Sequence, residues 1–257
     1  MSNPAFKPVI ISAPFGNYIQ PEGATPTLGT FTAAARPGRL WRIVKTVRYY
    51  PRIRAWVNKI GLRNPGIDWL KTQVDAGRKR VDDKLVSIHG FDATDWRRLL
   101  DDIAALKPLA VELNMSCPNV GEIHWPPTLF EQAVETGVPV VVKLPPVRFH
   151  DMAEQALAAG VRLFHCCNTL PVPAGGVSGK PLKPVALECI VWMRRRPEAA
   201  ELTLIGGGGI TTVDDIDDYV AAGVQHVALG TVTMNPLLLI THTPIAGLID
   251  HAIARLG

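Results

Sequence analysis

Short apolar runs punctuate the chain. They fall at residues 9–12, 28–32, 85–89, 110–115, 140–144, 163–167, 203–207 and 226–230. Several are near-continuous and rich in β-branched residues, as parallel strands buried on both faces are. Between runs the apolar positions change to helical spacing. In residues 95–106, Trp96, Leu99, Leu100 and Ile103 fall at that spacing, with Asp92 or Thr94 upstream as a cap. Residues 150–159 and 211–222 follow the same pattern and stop at Gly160 and Gly223, the residue type that commonly closes a helix. Strand alternating with helix predicts a parallel sheet of the α/β class. Eight strands in 257 residues predict a (β/α)8 TIM barrel with its active site at the C-terminal ends of the strands. The rival, an open doubly wound sheet, carries its glycine fingerprint near the N-terminus. Here the glycine-rich turns follow the last three runs, which favours the barrel. No Gly/Ser/Pro linker divides the chain, so residues 1–257 read as one domain.

Composition supports a packed core: 47% of residues are hydrophobic and 19% charged. A net charge of +4 is too mild to indicate a nucleic-acid partner. The four cysteines, Cys117, Cys166, Cys167 and Cys189, form no C-x-x-C pair, so a zinc finger or a self-held iron–sulfur cluster is not expected. His165 and Cys167 share a strand face but have no evident third ligand, so they read as barrel packing and no metal site is predicted. His89 and His124 read as structural or rim residues. The first eight residues lack the apolar stretch of a signal peptide, and no run is long enough to span a bilayer. A soluble cytoplasmic protein with reduced thiols is the expectation.

Three glycine-rich segments stand out. Residues 204–210, Leu-Ile-Gly-Gly-Gly-Gly-Ile, leave a strand and open a helix, with Asp214 and Asp215 in its first turn. Gly230 and Thr231 end the next strand, and residues 174–179 form the third. A glycine run alone is equally a flexible turn. Two of them ending consecutive late barrel strands predict a phosphate site, because glycine lets backbone N–H groups approach an oxyanion. The phosphate belongs to a substrate or to a cofactor; spacing does not decide which.

Strand-end groups should converge at the barrel mouth: Asn58, Asn114, Asn119, Lys143 and Asn168, with Cys117 among them. A lysine closing a buried apolar strand is costly unless it meets an anion or many acceptors. Clustered Asn side chains offer donors and acceptors that match a flat heterocycle with C=O and N–H edges. Cys117 alone reads as a core thiol; its loop between Asn114 and Asn119 points toward function.

At these residues the chain resembles the class 1 dihydroorotate dehydrogenases, FMN-dependent barrels of the same kind. The resemblance runs from about Pro8 to Pro236. Its motifs are Asn58-Lys59-Ile60-Gly61-Leu62-Arg63-Asn64-Pro65-Gly66, Asn114-Met115-Ser116-Cys117-Pro118-Asn119, Val142-Lys143-Leu144, Asn168-Thr169-Leu170, Gly175-Gly176-Val177-Ser178-Gly179, Lys183-Pro184-Val185-Ala186-Leu187, Gly207-Gly208-Gly209 and Gly230-Thr231. It implies oxidation of dihydroorotate to orotate, with Cys117 as the base at C5 and hydride passing from C6 to flavin N5. It further implies a pyrimidine-like substrate held by Asn58, Gly61, Leu62, Asn114, Asn119, Asn168 and Thr169. FMN would be held by Ser12, Asn114, Lys143, Gly179, Gly208, Gly209, Gly230 and Thr231. Family homologues form dimers, and the acceptor would be either a soluble one such as fumarate or a separate electron-transfer subunit.

The chain also departs from that pattern. Alignment from Arg36-Pro37-Gly38 puts Gly29 where the family carries a lysine, and the links at 120–125 and 170–175 are short. Two further readings follow: a related FMN oxidoreductase acting on another small cyclic imide or unsaturated substrate, and a flavin-binding barrel without turnover. Residues 36–56 carry Arg36, Arg39, Arg42, Lys45, Arg48, Arg52 and Arg54 with no acidic residue. The spacing predicts a basic amphipathic helix, which suits a solvated rim, capture of an acidic substrate, a docked partner or a membrane surface.

Overall fold

The structure is a computed structural model that describes residues 4–115 and 125–257. Its elements, in order, begin with β1 (Val9–Ile11), β2 (Ala24–Phe31), α1 (Arg39–Thr46), β3 (Arg48–Tyr50), β4 (Ala55–Asn58) and α2 (Ile67–Asp75). Next come β5 (Leu85–Ile88), α3 (Ala93–Leu106), β6 (Ala110–Asn114), α4 (Leu129–Glu135), β7 (Val140–Lys143), α5 (His150–Ala158) and β8 (Leu163–Cys166). The remainder is β9 (Leu170–Val172), β10 (Gly175–Gly179), α6 (Leu182–Arg194), β11 (Thr203–Gly207), α7 (Val213–Ala221), β12 (His226–Leu229) and α8 (Thr243–Leu256).

Eight strands close a barrel in the order β1-β12-β11-β8-β7-β6-β5-β2, and every neighbouring pair is parallel. They are the eight runs predicted from the sequence. Helices α2 to α7 cross over between strands outside the barrel, and α8 follows the last strand. Between β1 and β2 there is only a short 3-10 turn, Phe15–Asn17, because Pro14, Gly16, Pro21 and Gly23 break the link. The predicted helix ends also hold. Asp92 caps α3 by accepting from the Asp95 N–H at 2.8 Å, and Gly160 and Gly223 follow α5 and α7 with positive φ.

Strand periodicity divides the core. Odd positions on β6, Val111 and Leu113, face outward and are fully buried under helices, together with Trp96, Leu99 and Ile103 of α3. Burying a side chain of this size stabilises by about 1.5–3 kcal/mol. Inside the barrel, Ile10, Leu85, Ala110, Val141, Leu163, Ile205 and Ala228 form a separate apolar floor.

A second, antiparallel sheet, β3-β4-β10-β9, was not legible as strands. Residues 174–179, expected as a glycine turn, pair instead as β10: Gly176 opposes Asn58 and Gly179 opposes Ala55. The basic segment is helical only over α1; Arg48 then begins β3.

Candidate active site

One step of two residues above the apolar floor, the inward positions turn polar. Leu85 gives way to Ser87, Ala110 to Glu112, Val141 to Lys143 and Leu163 to His165. Register sets Lys143 beside His165 and, on its other side, beside Asn114. Glu112 is fully buried. Its Oε2 lies 2.7 Å from His165 Nδ1, and its Oε1 lies 3.9 Å from Lys143 Nζ.

The protonation states follow. Burial pushes the Glu112 carboxyl up, but the Lys143 charge, the His165 hydrogen bond and a smaller contribution from Ser87 outweigh it. The net effect lowers it from the usual 4.5 to about 2. His165 is held below its usual value by burial first and by Lys143 second. At neutral pH it is therefore uncharged: its Nδ1–H donates to Glu112, and its Nε2 is left as an acceptor. The contact is a hydrogen bond to a carboxylate, not an ion pair.

Above this layer lies an amide and hydroxyl network. Asn168 Nδ2 donates to Asn114 Oδ1 at 2.9 Å, and Asn114 Nδ2 donates to Thr30 Oγ1 at 2.8 Å. Thr30 Oγ1 meets Ser87 Oγ at 2.9 Å. The Asn114 carbonyl meets His89 Nδ1 at 2.8 Å, and burial keeps His89 below the ordinary histidine value. These bonds fix the side chain orientations before any ligand arrives.

A cavity of about 890 Å³ opens over both layers. Sites that bury cofactor-sized ligands span roughly 300–1,000 Å³. Ser12, Asn58, Gly61, Leu62, Asn114, Lys143, Asn168, Thr169, Gly208, Gly209, Gly230 and Thr231 all line it. Gly179 packs behind Gly209: a Cβ on Gly209 would lie 2.7 Å from the Gly179 carbonyl oxygen, and Gly209 has φ +72. Only glycine therefore fits this turn, and its bare backbone faces the cavity. Behind it, Asp215 accepts from Lys180 and Lys183, 2.7 Å from each, and from the Thr211 and Thr212 N–H groups. Cys117 and Asn119 lie outside the described residues.

Sequence reasoning missed Glu112 and assigned His165 to packing. The available signal was a carboxylate at an inward position of an otherwise apolar strand. Cys167 also lines the cavity, but burial first and Cys166 second push its thiol well above the ordinary value, so it remains a protonated thiol. Gly29 lines the cavity too. Its φ is +104, and a Cβ there would run into the Ser87 carbonyl oxygen. This backbone leaves no room for a lysine at that position.

Comparison with known proteins places this geometry. The family model for Dihydroorotate dehydrogenase matches residues 19–243. The catalytic subunit of Dihydroorotate dehydrogenase B (NAD(+)) from Alkaliphilus oremlandii is 29% identical over 236 residues, 81% of this chain and 77% of the relative. The protein of the same name from Desulforamulus reducens is 35% identical over 212 residues, 70% and 67%. Ligand-free DHODH from Eimeria tenella shares the fold with a TM-score of 0.73 at 18% identity, covering 97% of this chain and 83% of that one. The barrel is thus that of an oxidoreductase, a dehydrogenase. The chain belongs to the dihydroorotate dehydrogenase family, whose members are flavin-dependent. Among the described residues no helix is long and apolar enough to cross a membrane.

Proposed function

We propose that the protein is an FMN-dependent dehydrogenase that oxidises dihydroorotate to orotate. The observation that carries this reading is the meeting of separated sequence positions in one cavity: amides and a buried lysine over the floor, and a glycine backbone turn at the side. These residues fit a flavin nucleotide, which needs a polar heterocycle site and a phosphate cradle. Ser12, Asn114, Lys143, Gly208, Gly209, Gly230 and Thr231 would hold it, with Gly179 supporting the turn from behind Gly209 rather than facing the cavity. When bound, FMN supplies the acceptor for the two electrons that leave C6 of the substrate as hydride.

The chain's own groups do the rest. Asn58, Gly61, Leu62, Asn114, Asn168, Thr169 and, from outside the described residues, Asn119 orient the pyrimidine and its carboxylate. Cys117 removes the C5 proton as C5=C6 forms. A free thiol is a weak base at neutral pH, so a nearby positive charge or a closed loop would have to tune it. Lys143 supplies a fixed positive charge in a dry site, where charge acts strongly. The relatives are described as catalytic subunits, which supports a separate electron-transfer subunit for this chain as well.

Gly29 favours a second reading, a related FMN enzyme for another small cyclic imide, because it removes a cation from the substrate side. One experiment separates the two. Dihydroorotate is added anaerobically to the purified flavoprotein and the visible flavin bands are followed. Bleaching supports the first reading, and Cys117→Ser should then slow it by about 10²-fold or more. Bands that persist with dihydroorotate but bleach with another dihydropyrimidine support the second. A chain that takes up no FMN overturns both.

A further inference from the structure

The rim of the cavity carries a helix turned inside out. On α1, Leu40, Trp41 and Val44 are 80%, 67% and 71% exposed, and no residue of the helix is buried. Two of its basic residues turn back toward the protein: Arg39 donates to the Tyr18 hydroxyl at 3.1 Å and Arg42 to the Lys59 carbonyl at 2.7 Å. Leu40, Trp41 and Val44 therefore stand clear of the surface at the cavity mouth, while Ile43 is half-buried against the cavity, so most of the apolar stripe of this amphipathic helix is left uncovered. A second apolar prominence stands on the same rim. Leu237, Leu239 and Ile240 are exposed, Ile240 to 85%, and Leu239 lines the cavity with Leu40 and Ile43.

Charge tells what covers this face. From Glu22 to Asp68 there is no acidic residue, while Arg36, Arg39, Arg42, Lys45, Arg48, Arg52, Arg54, Lys59 and Arg63 fall between them. Lys45, Arg48, Arg52 and Arg54 of this segment are exposed. Arg48 also holds the C-terminal carbonyls of α1, donating to Val47 at 2.7 Å and Lys45 at 3.1 Å, which ties off the last turn of the helix. Apolar side chains, tryptophan included, that stand clear of the surface on a segment whose only charges are basic suit insertion beneath anionic headgroups. A protein partner would need a groove shaped to both prominences and an acidic rim around it.

We propose that the cavity-mouth face of the barrel, through α1 and residues 237–240, docks on an anionic lipid surface. The proposal does not depend on the catalytic reading. The test is co-sedimentation of the purified full chain with phosphatidylcholine vesicles, with and without phosphatidylserine. Binding should require phosphatidylserine and weaken with salt. Lys45→Ala and Arg52→Ala should each lower it by about fivefold. Trp41→Ser with Val44→Ser should lower it by at least about tenfold while leaving the thermal unfolding midpoint in place. Failure to bind anionic vesicles overturns the proposal, as does binding that ignores Trp41→Ser with Val44→Ser. A self-associated form that this double variant converts to monomer would give the face to a second copy and equally overturn it. So would a stoichiometric complex with an acidic protein in a chain that ignores vesicles.

Discussion

Replacing Glu112 with Gln keeps the shape of a fully buried side chain and removes its charge. The amide oxygen can still accept from His165 Nδ1, 2.7 Å away in the parent, but the charge opposite Lys143 is gone. The magnitude follows from the carboxyl itself. A group lowered from 4.5 to about 2 on folding contributes ~3 kcal/mol at neutral pH. The sign is that of a depressed carboxyl: the stabilisation is complete above pH 4.5 and is lost as pH falls toward 2. The same size is expected for breaking a buried ion pair, about 3–5 kcal/mol. For a chain of this length, each kcal/mol moves the unfolding midpoint by about 2–4 °C.

Glu112→Gln should therefore unfold about 6–12 °C below the parent at neutral pH. The gap should narrow as pH is lowered from 4.5, because the parent loses what the variant never had. Adding Lys143→Met should recover part of the loss, giving a coupling of about 0.5–3 kcal/mol between the two positions. Differential scanning calorimetry of the four proteins of the cycle supplies the midpoints and enthalpies. A Glu112→Gln midpoint within about 2 °C of the parent at neutral pH would refute the reasoning, as would a gap independent of pH.

Two further outcomes are expected. His89, His165 and His226 are all held below 6.5, chiefly by burial, so below pH 6.5 the unfolded chain binds protons that the folded chain does not. Stability should fall as pH drops from about 7.5 to about 5.5, and a urea midpoint that stays flat over that range would contradict this. Gly29→Lys, which restores the family lysine, should destabilise by at least about 2 kcal/mol, since φ +104 and the Ser87 carbonyl both oppose a side chain there. A stable Gly29→Lys protein with raised dihydroorotate turnover would show that the backbone at this position adapts.

The barrel was legible because each of its strands is a covered apolar run with a clear end. Residues 85–89, 110–115 and 140–144 needed no knowledge of their partners to be read. The second sheet was not legible for the opposite reason. β3 is three exposed residues, Arg48 to Tyr50, with no buried face to set a period, and β10 carries three glycines in five residues. Much of the cavity lining was readable, since Asn114, Lys143 and Asn168 end or follow their strands. The Glu112–His165 contact was not readable. It joins residues 53 apart across strands that are not neighbours in the sheet, and strand register is fixed only by closure of the whole barrel.

Counting along the inward positions in steps of two explains why the charge lies at this depth. Val141, Lys143; Leu163, His165; Ala110, Glu112, Asn114; Ile205, Gly207; Ala228, Gly230: each strand passes from apolar floor toward ionic, amide or bare backbone at the mouth. An ammonium placed just above a dry floor interacts strongly with whatever lies over it, because little water screens it. The same dryness makes an uncompensated ammonium costly. Glu112 resolves that conflict from below, leaving the upper side of Lys143 toward the cavity. With Gly29 offering no second cation and its backbone leaving no room for one, the permanent positive charge at the cavity floor, among the described residues, rests on Lys143. How much of it reaches a ligand is then set by Glu112, a residue that need not touch the ligand. If the proposed flavin is bound, removing Glu112 should accordingly shift the balance between its oxidised and reduced forms as well as stability, in the direction that favours the more negative, reduced form.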